Sequence, residues 1–254
     1  MKKILNIKGL KIGEGIPKIA VPIVGVSKEE LLEEIQYLKK IKFDIVEWRI
    51  DYFENVDNLN KVKEMLSIIS DSLKDTPFIV TFRTLKEGGE RDISKRSYEN
   101  LLKELIKTNK IDIVDIELFA LEDKAISNLI DIAHQLNVAV IISNHDFDKT
   151  PPKNEIIKRL VKMQKLGADL PKIAAMPKNS EDVIEILCAT NEMATRHDET
   201  PVITMSMGKL GLISRLSGGT FGSAVTFGAA KAISAPGQIQ ANELYEILKI
   251  IENK

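Results

Sequence analysis

V-A-V-I-I-S-N-H at residues 138–145, an amphipathic stretch at about 153–166 and L-P-K-I-A-A-M at 170–176 decide the fold. The first and last are short apolar runs rich in Val, Ile and Ala, the pattern of strands buried on both faces. The stretch between them has helical periodicity. Strand, helix and strand at this spacing imply two parallel strands joined by a crossover. Working outward, the same alternation recurs. Apolar runs fall at 19–25, 43–49, 77–83, 111–118, 201–207 and 224–228. Helical patterns fall at 28–40, 57–73, 95–109, 121–136, 179–194, 209–217 and 240–252. Leu31, Leu32, Ile35 and Leu38 form one apolar stripe, and Ser27 with Glu30 gives a capping-box signal before it. Eight strands alternating with eight helices predict an α/β fold, a closed (β/α)8 barrel of the usual ~250 residues. The alternative is an open doubly wound sheet. Its first strand should lead into G-x-G-x-x-G, and here Gly25 stands alone. I-L-N-I-K-G-L-K-I, 4–12, reads as an N-terminal β-hairpin closing the bottom of the barrel. Residues 1–254 are expected to form a single catalytic domain.

Composition narrows the function classes. The chain has 254 residues, 44% hydrophobic and 29% charged, with a net charge of −1. That balance offers no basic surface for nucleic acid or anionic membrane. No apolar run reaches the roughly 18 residues of a membrane span. The start, M-K-K-I-L-N-I-K, resembles a signal peptide, but charges interrupt it and no small-residue cleavage site follows. The lone Cys188 suits the reducing cytoplasm and gives neither a disulfide nor a cysteine metal site. Histidine pairs at metal-ligand spacing, a magnesium-type acid cluster and a P-loop are also lacking, so neither metal nor cofactor is expected.

In such barrels the chemistry gathers at the C-terminal strand ends. Lys172, within an apolar run, is unusual there. Burial disfavours the ammonium form, and a neutral amine attacks ketones to form Schiff bases. The plain alternative is a strand-edge lysine whose stem reaches water. His145 ends the neighbouring strand, where a general base could serve that amine. Glu47 and Arg49 share one strand face and suit a polyhydroxylated ligand, or else form a structural ion pair. Arg83 could join that pocket. Glu87, in the loop after it, could orient another group or simply be solvated. Arg215 could clamp a carboxylate with two hydrogen bonds, or be a surface cation. The loop S-A-P-G-Q, 234–238, offers Ser234, Gln238 and backbone N–H groups to a phosphate or a carboxylate. Ala174 leaves room beside Lys172, and Met205 and Met207 read as lining.

Taken together these segments resemble the type I 3-dehydroquinate dehydratase family. The matching runs are D-I-V-E-W-R-I-D (44–51), T-F-R-T-L-K-E-G-G (81–89), H-D-F-D-K-T-P (145–151), K-I-A-A-M-P (172–177), M-S-M-G-K-L-G-L-I-S-R (205–215) and S-A-P-G-Q (234–238). Where Asn144 precedes the histidine, the family often has an aromatic or other residue. The resemblance implies dehydration of 3-dehydroquinate to 3-dehydroshikimate in the shikimate pathway. It implies a Schiff base on Lys172, proton transfer by His145 and a paired Glu87 that sets the state of His145. It further implies that Arg215, Ser234 and Gln238 hold the substrate carboxylate or a nearby hydroxyl, while Glu47, Arg49 and Arg83 meet ring hydroxyls. A homodimer without metal or cofactor is the corresponding expectation. The rival enzyme class is a lysine-dependent aldolase; the rival outside catalysis is a binding barrel that forms no covalent adduct.

Overall fold

The computed structural model describes residues 4–231 and 235–252. Two short strands, β1 (Leu5–Ile7) and β2 (Leu10–Ile12), pair antiparallel. Eight more strands follow, all parallel: β3 (Lys18–Ile23), β4 (Ile45–Arg49), β5 (Phe78–Thr81), β6 (Ile113–Glu117), β7 (Ala139–Asp146), β8 (Leu170–Ala175), β9 (Ile203–Ser206) and β10 (Val225–Phe227). They neighbour one another in chain order, and β10 pairs back onto β3. Between β9 and β10 the seam is thin: one bridge joins Val202 to Ser223, and the Ala224 amide donates to the Val202 carbonyl at 2.8 Å. The Ser223 hydroxyl adds a side-chain stitch by accepting from the Thr204 amide at 3.1 Å. The expected (β/α)8 barrel is therefore present.

The helices are α1 (Lys28–Leu38), α2 (Leu59–Leu73), α3 (Lys95–Ile106), α4 (Asp123–Gln135), α5 (Lys153–Leu166), α6 (Ser180–Arg196), α7 (Leu212–Phe221) and α8 (Ala241–Glu252). Ser27, Asn58, Ser94 and Asn179 each cap a helix by accepting backbone amides. The capping box at α1 closes one residue further out than the sequence suggests: the Glu30 carboxylate accepts from the Val26 amide at 2.7 Å. Helix α7 is also displaced from the expected 209–217, starting later and running on through Gly218 and Gly219. A glycine pair reads as a helix breaker, yet a Cβ at Gly219 would sit 2.6 Å from the Pro17 ring, so close packing requires it.

Strand alternation divides the apolar residues into two cores. Outward side chains such as Val46, Val80, Val114, Ile142 and Ile173 pack with the helices. Inward ones form a separate cluster with Ile45, Ile79, Ile113, Ile141, Leu170 and Ile203. Ile12 of the hairpin is fully buried in that inner cluster, with Leu5, Ile7 and Leu10 packed against it. Lys8 anchors the hairpin to the residues just before β5 and β6, donating to the Thr76 carbonyl at 3.1 Å and pairing with Asp112 at 2.7 Å. The hairpin thus plugs the N-terminal end, as expected, and leaves the opposite end for a site.

Candidate active site

Above the aliphatic layer the inward positions turn polar. Glu47, Thr81, Asp115, Ser143 and Lys172 follow the same faces as the Ile and Leu residues beneath them, and all are buried. They are tied together. The Thr81 hydroxyl donates to Glu47 at 2.8 Å, and Ser143 donates to Asp115 at 2.6 Å. The Lys172 ammonium lies 3.5 Å from Asp115, 3.8 Å from Glu47 and 4.4 Å from the centroid of the Phe227 ring. The sequence expectation pictured a lone amine in an apolar strand. The barrel instead surrounds it with two carboxylates and an aromatic face. Burial opposes ionisation of Asp115, but Arg83, Lys172 and the Ser143 hydrogen bond hold its pKa below the ordinary value.

Arg83 knits this layer to the loop above. Its guanidinium donates to Glu117 and Ser143, each at 3.0 Å, and to Asp115 at 3.0 Å. Glu117 in turn accepts from the Thr84 amide at 2.8 Å and from its hydroxyl at 2.7 Å. That grip turns the chain after β5 back on itself through the short helical turn Leu85–Glu87. Gly88 and Gly89 complete the reversal. Gly88 has φ +82, and a Cβ there would overlap the Phe147 ring; one on Gly89 would overlap the Arg83 carbonyl. The result delivers Glu87 to the barrel mouth rather than to solvent.

There Glu87 meets His145. Its Oε2 accepts from the His145 amide at 2.8 Å and lies 3.0 Å from Nδ1, and its Oε1 accepts from Asn144 at 3.1 Å. Burial, reinforced by the Glu117 charge, pushes the Glu87 carboxyl up to about 8, against Arg83 and these hydrogen bonds. Burial also holds the His145 imidazole well below its ordinary value, helped by the cations Arg83, Lys172, Arg49 and Arg215. A neutral imidazole results, able to accept a proton.

Glu47 and Arg49 do share a face, but they do not pair with each other. Arg49 makes a two-pronged ion pair with Asp51 at 2.8 and 2.7 Å, with its guanidinium 5.0 Å from the Tyr52 ring. Arg215 differs from every other buried cation here. It is 1% exposed and, among the described residues, faces only neutral atoms: Met205 sulfur at 3.3 Å and the carbonyls of Phe227 and Pro236 at 3.5 and 3.1 Å. Its Nε meets no acceptor among the described residues, and burial pushes its pKa down to about 10. A buried guanidinium without a carboxylate partner among the described residues has the chemistry to pair with an anion.

One cavity of about 500 Å³ lies at the C-terminal ends of the strands. Glu47, Arg49, Arg83, Glu87, His145, Lys172, Arg215 and Gln238 line it, with Ala174, Met205, Met207 and Phe227 as apolar wall. Ser234 lies outside the described residues.

A family model for type I 3-dehydroquinase matches residues 19–254. The chain belongs to the type I 3-dehydroquinase family. It is thereby a hydro-lyase. It is 57% identical over 251 residues to the 3-dehydroquinate dehydratase of Clostridium novyi, covering 99% of each chain. It is 55% identical to that of Clostridium kluyveri, over 99% of this chain and 98% of the relative. Among solved structures it superposes with TM-score 0.96 on a type I 3-dehydroquinate dehydratase from Clostridium difficile bearing covalent modified comenic acid. That protein is 50% identical, with 100% of this chain and 99% of the other aligned.

Sequence reasoning overlooked part of this dehydroquinase pocket. Asp115, Glu117, Thr81, Ser143 and Asp51 are not singled out by the sequence, yet they carry hydrogen bonds that hold Glu47, Arg49, Arg83 and Lys172. The signal was available. In I-D-I-V-D-I-E-L, Asp115 and Glu117 share the face of Ile113, opposite Val114 and Ile116. A central strand buried on both faces has no solvent side for acids to occupy.

Proposed function

We propose that this chain dehydrates 3-dehydroquinate to 3-dehydroshikimate through an imine on Lys172. The amine adds to the substrate ketone, and loss of water leaves a protonated imine. That cation withdraws electrons from the adjacent carbon more strongly than the ketone does. His145 removes the α-proton there, giving an enamine. The enamine expels the β-hydroxyl as His145 returns the proton to it. Water then hydrolyses the conjugated imine, freeing Lys172 and product. One water is lost overall, since the water released in forming the imine is taken up again. Arg215 holds the substrate carboxylate with Gln238 and Ser234, Glu87 sets the state of His145, and Glu47, Arg49 and Arg83 meet the hydroxylated ring.

The observation that carries this reading is the placement of Lys172, His145 and Arg215 on one cavity. Lys172 and His145 are inward on adjacent strands, in register with Ser143 and Ala174 respectively. Arg215 supplies the counter-charge for an acid. The covalent modified comenic acid on the Clostridium difficile relative is in keeping with a nucleophile in such a pocket. The same reading takes residues 1–254 as one catalytic barrel that works without cofactor, as a cytoplasmic homodimer in aromatic amino-acid biosynthesis. The single exposed thiol of Cys188 and the absence, among the described residues, of a helix long and apolar enough to cross a membrane are compatible with that setting.

Borohydride reduction with 3-dehydroquinate, followed by intact mass and peptide mapping, tests the chemistry. One adduct on Lys172 is expected, lost in Lys172→Ala together with the rise in ultraviolet absorbance from the conjugated product. An adduct mapped elsewhere, or none with active enzyme, would overturn the assignment.

A further inference from the structure

We infer that Asn144 and Arg159 are positioning residues for catalysis: an amide on the outer face of β7, held by a cation on α5, fixes the carboxyl that orients the imidazole. The inference rests on the roles proposed above for His145 and Glu87.

The geometry is directional. Arg159 can only donate, and its guanidinium donates to the Asn144 carbonyl oxygen at 2.9 Å. The Asn144 NH2 is therefore turned toward Glu87, where it donates to Oε1 at 3.1 Å. Arg159 is itself fixed. Its Nε pairs with Glu155 one turn earlier at 2.9 Å, and its guanidinium lies 5.5 Å from the Phe119 ring centroid. Asn144 is buried and Arg159 half-buried, so the bonds are sheltered from competing water.

The consequence reaches the reacting nitrogen. Asn144 demands an acceptor at Oε1 of Glu87, and the His145 amide demands one at Oε2. Two fixed donors favour the carboxylate over the carboxylic acid. A carboxylate then accepts the proton of Nδ1, which leaves the Nε2 lone pair available as a base. Other groups pull both ways. Glu117 on β6 repels a charge on Glu87, while Arg83, 3.6 Å away, favours it. Behind Glu87, a second cavity adds Lys86, Asp92, Lys95 and Tyr98 from the loop and α3. In front stand Lys172, Arg49 and Arg215. Burial and Glu117 prevail, and the carboxyl sits near 8. The Asn144 bond opposes that rise and so favours the base-competent form.

Asn144→Leu and Arg159→Met test this, with Arg159→Lys as the conservative variant. Arg159→Met keeps an aliphatic stem on Phe119, so folding is preserved there. The readouts are kcat and KM from about pH 6 to about pH 9.5, with borohydride trapping alongside. Both variants are expected to be trapped on Lys172 with nearly unchanged KM. Their kcat should fall roughly 10- to 100-fold at neutral pH, the scale of a misplaced catalytic group. The deficit should narrow as pH rises, because Glu87 ionises later without its donor, and Arg159→Lys should recover part of the rate. Wild-type kcat and pH profile in both variants would overturn the inference. So would a deficit equal at every pH, which a merely structural loss gives. Failure to trap wild-type enzyme at Lys172 is a separate outcome that removes the proposed function and this inference with it.

Discussion

Among the described residues, Arg215 is held by carbonyl oxygens and a thioether and by no carboxylate. Evolution of a buried ion pair would have stabilised the free enzyme, but it would also have spent the charge before substrate arrived. Arg215→Ala should therefore weaken binding far more than it slows turnover. Losing a buried charge partner costs about 2–5 kcal/mol, or roughly 30-fold and upward in affinity. Titration calorimetry with a non-reacting carboxylic acid analogue of the substrate checks this; unchanged affinity would place the clamp elsewhere. Arg49 makes the contrast: both its engaged nitrogens go to Asp51, so its orientation is set before any ligand binds.

Among the elements, the turn after β5 has the narrowest tolerance. Glu87 reaches the mouth only because Glu117 grips Thr84 and because position 89 carries no side chain. Gly89→Ala is expected to displace the turn and cut kcat roughly 10- to 100-fold, while the distant helices keep their far-ultraviolet dichroism. Normal turnover in that variant would show the turn to be more pliable than its packing suggests. The strands and helices themselves were legible because both faces of each strand are buried, which leaves uninterrupted Val and Ile runs. Legibility failed where context overrode local pattern. Gly218–Gly219 reads as an end to α7, but the approach of Pro17 makes it interior. Lys172 stood out because a cation in an apolar run is conspicuous. Asp115, which shares its hydrogen-bonding layer, did not, because acids alternating with aliphatics look like a solvated strand edge.

For the molecule as a whole, the apolar plug and the candidate site sit at opposite ends of the barrel. Ile12 is fully buried beneath the aliphatic layer, well below the polar one. Ile12→Ala should cost about 2–5 kcal/mol by urea denaturation and leave kcat/KM per folded molecule unaltered. A matching loss of activity would mean that strain at the plug travels up the barrel. The Glu87–His145 pair links stability to pH at the other end. Above pH 4.5 the unfolded chain releases a proton that Glu87, at about 8, retains when folded. The folded state then binds more protons, so stability falls as pH rises through that window. His145 acts oppositely: below its ordinary 6.5 the unfolded chain takes up a proton that the buried imidazole refuses, so stability falls as pH drops. The two effects oppose each other between these values. The decline from about 6.5 to about 8 belongs to Glu87 alone within the pair, and urea midpoints for Glu87→Gln should be flatter there than for wild type.

The seam between β9 and β10 has one further consequence. Every other pair of neighbours is laced by several rungs, whereas this one is fastened by a single bridge and a serine hydroxyl. When the cylinder breathes, it should part along that line. Amide hydrogens at Ala224 and Thr204 should then trade with deuterated water sooner than those in the long zipper of β6, β7 and β8. Arg215 and its anion receptor lie just above the same line, so a bound acid would act as a clasp and slow the trade.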